Sequence, residues 1–360
     1  MKKLALNVAI LAGVASMATH AVADETLNVV SWGGAYTASQ TKAYHEPWTE
    51  KTGTKVINID KSQNGLSGLR AQVESGNVTW DLVDILPSDA IVACDEGLAE
   101  PLDHDTLLAA APDGTPATKD FLAGSLSECF VPSIVYSNIV AYNKEMFDKA
   151  PTKIDDVFDL KNFPGKRSLQ KKPINNLEWA LIADGVAAED VYDVLSTEEG
   201  VQRAFKKLDT IKDNVIWWEE GAQPPQLLAD KEVAFASAYN GRIFNAAVNE
   251  KQPFEIIWDG QVFELDGWVV PKGKLDKVKD YLRFATDSQR LADQAKYISY
   301  GPARNSSAAM VTTHADTGID MKPHMPTYGP NFQTAIPKDD EFWADNGDEL
   351  AQRFNAWLAK

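Results

Sequence analysis

Past residue 25 the chain alternates short apolar runs with amphipathic stretches. "TLNVVSW" (26–32) is rich in β-branched residues and reads as a strand. From about Tyr36 to Thr52, Tyr44 and Trp48 stand at i, i+4, on one face of a helix that Gly53 stops. "KVINID" is a second strand, about Leu66 to Ser75 a second helix closed by Gly76, and "WDLVDIL" a third strand. Strand, helix, strand, helix, strand predicts a parallel sheet with covered faces.

The run "VPSIVYSNIVAYNKEMF", with Tyr136 and Tyr142 flanking small polar residues, is long enough to pass from one lobe into the next. A Lys- and Pro-rich passage, "LKNFPGKRSLQKKP", leads to helices around Glu178 to Asp184 and Glu198 to Ile211. "EVAFASAY" is a strand ending in "NGR", "FEIIW" another, and "LDGWVVPKG" a second crossing, so two crossings predict a hinge. Helices follow from Leu275 to Lys296, and "ISYGPARNSSAAM" reads as a loop. Phe342, Leu350, Phe354, Trp357 and Leu358 have the spacing of a terminal amphipathic helix.

Composition then restricts the compartment. Lys2 and Lys3 precede "LALNVAILAGVASMA" and "AVA", a secretory leader with expected cleavage after Ala23. Its apolar run is interrupted by Asn7, and no later segment approaches the roughly 20 apolar residues of a membrane span. The mature chain is expected in the periplasm, and it is long for one core, so two lobes are the default. Losing the two leader lysines takes the 35 cations to 33, against 52 acids, a net charge of −19. That excludes tracking a nucleic-acid backbone, and leaves an acidic surface to attract a cationic ligand or simply to aid solubility. Cys94 and Cys129 in an oxidising compartment predict a disulfide, which in the chain-entropy model restricts the unfolded chain by about 4 kcal/mol. A catalytic Cys129 would need a base partner, and none is recognisable.

No G-x-S-x-G elbow, H-E-x-x-H, P-loop or EF-hand loop occurs, and His45, His104, His314 and His324 form no pair at i, i+3 or i+4. Neither catalysis nor a metal site is advertised. Acid runs such as Asp339 to Glu341 read as solvated faces.

The segments "VVSWGGAYTASQ", "WDLVDILPSDAIVACDEGLAEPLD", "IVAYNKEMF", "WWEEGAQPPQLLADKEVAFASAYNGRI", "FELDGWVVPKG" and "SYGPARNSSA", in that order, resemble the periplasmic solute-binding proteins of ABC importers, the spermidine and putrescine type. The resemblance implies a two-lobed α/β binding protein of type II, each lobe a mixed, mostly parallel sheet flanked by helices, with the ligand cleft at the hinge. It implies lobe 1 from 24–137 and 266–325, lobe 2 from 138–265 and 326–360, no catalysis, no cofactor, a monomer, and delivery of a small cationic amine to a membrane permease. Position by position it puts Trp32, Ser88 beside Asp89, Tyr239, Asp266 and Tyr300 in the pocket, where aromatic walls hold an alkyl amine and carboxylates its ammonium. Each residue also has a plainer reading: Trp32 and Tyr239 as packing, Asp266 as a turn cap.

The departures concern the far end. Where long-polyamine binders carry a second acidic cluster, this chain has "KKPINNLEW", with Lys172 and Asn175 at the acidic positions and Glu178 one turn on. Glu264 stands at a usually aromatic position, and Trp268 two residues after Asp266. A lysine there would repel a second ammonium and accept a carboxylate. The alternative ligand is therefore a quaternary-ammonium or sulfonium zwitterion (betaine, choline, dimethylsulfoniopropionate) or a 4-aminobutyrate-like amine, in an aromatic cage built from Trp32, Tyr239, Trp268 and Trp217 or Trp218. If the placement slips, Glu178 is the missing acid. Arg242 or Arg304 in the cleft would also argue for a ligand carboxylate. A carboxylate-using exported hydrolase is the remote alternative.

Overall fold

The computed structural model describes residues 26–360, so the expected leader and its cleavage lie outside the described residues. The strands are β1 (Thr26–Ser31), β2 (Lys55–Asp60), β3 (Leu82–Ile85), β4 (Phe130–Asn143), β5 (Arg167–Gln170), β6 (Val215–Trp218), β7 (Phe235–Tyr239), β8 (Phe254–Val269), β9 (Gly301–Pro302) and β10 (Ile336–Pro337). β1 pairs in parallel with β2 and β3, and β5 in parallel with β6 and β7. Between these groups run β4 and β8, antiparallel to each other and long enough to serve both lobes, so one sheet of order β2-β1-β3-β8-β4-β7-β5-β6 continues through the molecule.

The helices of the first lobe follow its strands: α1 (Gly34–Gln40) runs through a wider π turn into α2 (Glu46–Thr52), then come α3 (Gly65–Glu74) and α4 (Pro87–Asp95). Pro87 sits in the first turn of α4, where its missing N–H costs nothing. Cys94 at the end of α4 is disulfide-bonded to Cys129, just before β4.

Two elements differ from the sequence expectation. "FEIIW" and the second crossing are one continuous strand, because a register shift opposite Asn138 and Val140 absorbs the irregularity between them. "ISYGPARNSSAAM" is not all loop: Gly301 and Pro302 pair with Val135 and Ile134, and Asn305–Met310 is helical.

Each lobe has its own core. Leu27, Val29, Tyr44, Trp268, Tyr281 and Leu282 are buried together in the first. Leu169, Leu177, Trp179 and Phe235 fill the second, closed by Phe342, Leu350 and Phe354 of the terminal helix Asp340–Leu358. Each such side chain stabilises by about 1.5–3 kcal/mol on full burial. Asp339 starts that helix by accepting the Phe342 N–H at 2.8 Å. No helix of the described residues is long and apolar enough to cross a membrane.

Candidate functional site

In both lobes the parallel strands end at one cleft of about 420 Å³. Trp32 follows β1, Leu86 and Asp89 follow β3, Gln170 ends β5, Glu219 and Glu220 follow β6, and Tyr239 ends β7. The crossing strands add Ile134, Tyr136 and Asp266, and Tyr300 stands just before β9. Gly33 and Gly34 have φ of +80° and +59°, a turn that L side chains resist, and it swings the chain from β1 into α1 without covering the indole.

The floor is acidic and buried. Asp84 on β3 is 0% exposed and Asp266 on β8 4%. The two strands are antiparallel, with Ile85 opposite Gly267. Gly267 is required there: a Cβ would lie 2.3 Å from the Val131 carbonyl oxygen and 2.5 Å from Pro132 Cα. Its N–H donates to Asp266 Oδ1 at 3.0 Å, and Ser133 Oγ donates to the Asp266 carbonyl at 3.1 Å. Asp84 Oδ2 accepts from the Tyr36 hydroxyl (2.9 Å) and Gln40 Nε2 (2.5 Å). Burial pushes the Asp84 carboxyl up to about 7. Burial, and then the neighbouring Asp84, hold Asp266 well above the usual carboxylate range. Above this floor the rings of Tyr36, Tyr300, Tyr136 and Tyr239 form a chain with centroids 6.0, 6.1 and 5.9 Å apart.

The opposite wall sets two cations beside Glu219 and Glu220. Arg242 and Lys172 both line the cleft, and neither head is paired with a carboxylate among the described residues, whereas the adjacent Lys171 is held by Glu219 at 2.9 Å. Arg242 reaches across to the first lobe, where a Cβ on Gly34 would come within 3.0 Å of its Nη1.

Of the residues expected in the pocket, the cleft brings together Trp32, Asp89, Tyr239, Asp266 and Tyr300. Ser88, half-buried in the first turn of α4, is not part of its wall. Glu264 is turned into the hinge, accepting from Asn138 Nδ2 and pairing with Lys338, both at 2.7 Å. Trp268 is fully buried edge-on to Tyr44 at 5.6 Å, because β8 dives into the first core past Asp266. Glu178 is fully buried in the second lobe, where its Oε1 accepts from Tyr192 and from Trp343 Nε1, both at 3.0 Å. Trp217 packs on Phe354 and Trp357, and Trp218 donates to Ser237 Oγ behind Tyr239. Arg304 is buried on Asp120 at 2.6 Å, away from the cleft.

Among the wall and floor residues not anticipated as pocket residues are Tyr36, Tyr136 and Asp84. Asp84 had a signal, a lone acid inside the otherwise apolar strand "LVDI". Tyr136 had a weaker one, an aromatic amid small polar residues where β4 crosses between lobes.

Comparison with known proteins accords with this architecture. The model of the family described as Bacterial extracellular solute-binding protein matches residues 43–327. The chain is 39% identical over 352 residues, 97% of this chain and 96% of the other, to a gamma-aminobutyric acid-binding protein of Pseudomonas aeruginosa. Among solved structures it is similar to the Atu4243 GABA receptor (32% identical, TM-score 0.77, covering 93% of this chain and 98% of that one). It is also similar to the binding protein MotA of A. tumefaciens B6 in complex with glucopine (29% identical, TM-score 0.78, covering 92% and 99%). A spermidine/putrescine-binding protein of Streptococcus pneumoniae has a TM-score of 0.70 at 16% identity, which is a likeness of fold alone. With most of its length matched by the family model, the chain belongs to the bacterial extracellular solute-binding proteins, periplasmic carriers for ABC importers and not enzymes.

Proposed function

We propose that the protein captures a short zwitterionic amine of the 4-aminobutyrate type and delivers it, by closure of the cleft, to an importer permease. The observation that carries this is the polarity of the cleft: Asp266 and Asp89 line it together with Arg242 and Lys172. A diamine would set its second ammonium against those two cations, whereas a ligand carboxylate is met by the guanidinium fork. The 39% identical gamma-aminobutyric acid-binding protein supports the same reading, ahead of the polyamine that the sequence resemblance implied. Charged hydrogen bonds of about 1.5–3 kcal/mol and cation–π contact of up to about 2 kcal/mol, offset by lost ligand freedom, suit micromolar capture near −8 kcal/mol.

Calorimetry of the mature chain against 4-aminobutyrate, putrescine, spermidine, glycine betaine and choline tests this. The expected order puts 4-aminobutyrate first, and Lys172→Glu should weaken it while improving putrescine. Tighter binding of putrescine than of 4-aminobutyrate by the unaltered protein would overturn the proposal, and preference for betaine or choline would transfer it to a quaternary ammonium.

A further inference from the structure

The floor of the cleft holds two buried carboxyls where an ammonium needs one. Asp84 touches no ligand-accessible surface, its Oδ1 is buried without a hydrogen-bond partner, and neither Asp84 nor Asp266 forms an ion pair among the described residues. The two carboxyls stand on the adjacent strands β3 and β8, and each acts electrostatically on the other. Two carboxylates cannot share a hydrogen bond without a proton, and two adjacent charges in a buried site do not both ionise.

The surroundings supply no other counter-charge. Around Asp84 stand Tyr36 and Gln40 of α1, Tyr44 of the π turn, and Tyr281 of the helix Leu275–Ala285; around Asp266 stand Trp32, Tyr136 and Tyr300. Burial raises these phenols, so they remain neutral donors. His45, hydrogen-bonded to Tyr281 at 2.6 Å, is lowered by burial to about 4 and is neutral as well. Arg242, Lys172, Asp89, Glu219 and Glu220 are the charged groups on the rest of the wall.

We infer that Asp84 is a positioning residue for the ammonium site: in the ligand-free protein it shares one proton with Asp266, and an incoming ammonium expels that proton. The O–H bond of the pair breaks, the proton passes to water, and the ligand keeps all of its own protons. Asp266 then meets the cation, with the Asp84 carboxylate behind it. The inference rests on the ligand carrying an ammonium, as proposed above. Two consequences follow for selectivity. A neutral ligand has no charge with which to displace the proton, and affinity for an ammonium falls by up to about tenfold per pH unit below the range in which the pair titrates.

Two measurements on the mature chain test this. In the first, aspartate carboxyl carbons are followed by 13C NMR in the ligand-free protein; the pair should retain one proton at about pH 8, where exposed carboxyls are fully ionised. Finding both carboxyls of the pair ionised there overturns the inference whatever the ligand is. In the second, 4-aminobutyrate is titrated calorimetrically at about pH 8 in buffers of different ionisation enthalpy. Close to one proton should be released by the unaltered protein and distinctly less by Asp84→Asn, whose amide oxygen can still accept from Tyr36 and Gln40. Equal release by both proteins, or none by either, overturns it. If 4-aminobutyrate does not bind at all, the functional proposal falls, and the carboxyl spectra alone decide the proton sharing.

Discussion

The two walls of the cleft are built in opposite ways. The acidic wall is part of a core: Asp84 and Asp266 are buried on adjacent strands, and a tyrosine, a glutamine and a backbone N–H hold them. The wall with the cations is a rim, with Lys172 exposed and Arg242 half-buried, each on a long side chain without a carboxylate partner among the described residues. A buried carboxyl pair is expensive to form and cannot move, so on the proposed function it would fix where the ammonium goes. Long, partly exposed cations cost little when unoccupied and adapt, so on the same proposal the carboxylate end is where ligand length would be read. The two lobes also meet here, since Arg242 reaches the Gly34 turn of the other lobe.

The largest test of this contrast removes the rim's fork. Arg242→Ala should weaken 4-aminobutyrate by about 30- to 100-fold, the loss of a charged hydrogen-bonding group worth about 2–3 kcal/mol, while leaving a carboxylate-free amine unchanged or slightly tighter. Calorimetry with 4-aminobutyrate and propylammonium in parallel reads both; equal losses for the two ligands would remove the assignment of carboxylate to this wall. A smaller effect is expected from the acidic side's aromatic. Trp32→Ala should cost about tenfold for both ligands, because indole contact with the cation is worth about 1–2 kcal/mol. Unchanged affinity would return Trp32 to a packing role.

The same contrast explains what the sequence disclosed. Residues that end a parallel strand could be read, since strand boundaries are marked by alternation and by glycine: Trp32 before Gly33 and Tyr239 before "NG" both line the cleft. Residues within the long crossing strands were harder, because Glu264, Asp266 and Trp268 lie at the same two-residue period and differ only in depth along β8. One is at the hinge with Lys338, one in the cleft and one under Tyr44. Sequence period gives the face of a strand and not the layer it crosses. Asp84 was hidden for a related reason, since its partners come from α1 and β8, distant in the chain.

Glu178 offers the smallest effect on binding and the sharpest control, because it is another buried acid, in the lobe that supplies the cationic rim. Burial pushes it up to about 7, although Tyr192 and Trp343 both donate to it. Unlike Asp266 it has no opening to the cleft, so Glu178→Gln should leave 4-aminobutyrate affinity within about twofold, since surface and core changes remote from the ligand add independently. Its signature should be in stability. A carboxyl whose folded value lies above its unfolded one holds more protons in the native state between the two, so native stability falls as pH rises through that window. For Glu178 the window runs from 4.5 to about 7. The Gln variant, having no such titration, should gain on the unaltered protein across it, by on the order of 3 kcal/mol at full extent. Denaturant melts of both proteins at the two ends of the window measure this. A constant difference would show that Glu178 is not held protonated by its burial, and a large loss of ligand affinity would place the acid in the cleft after all and break the division between the two walls.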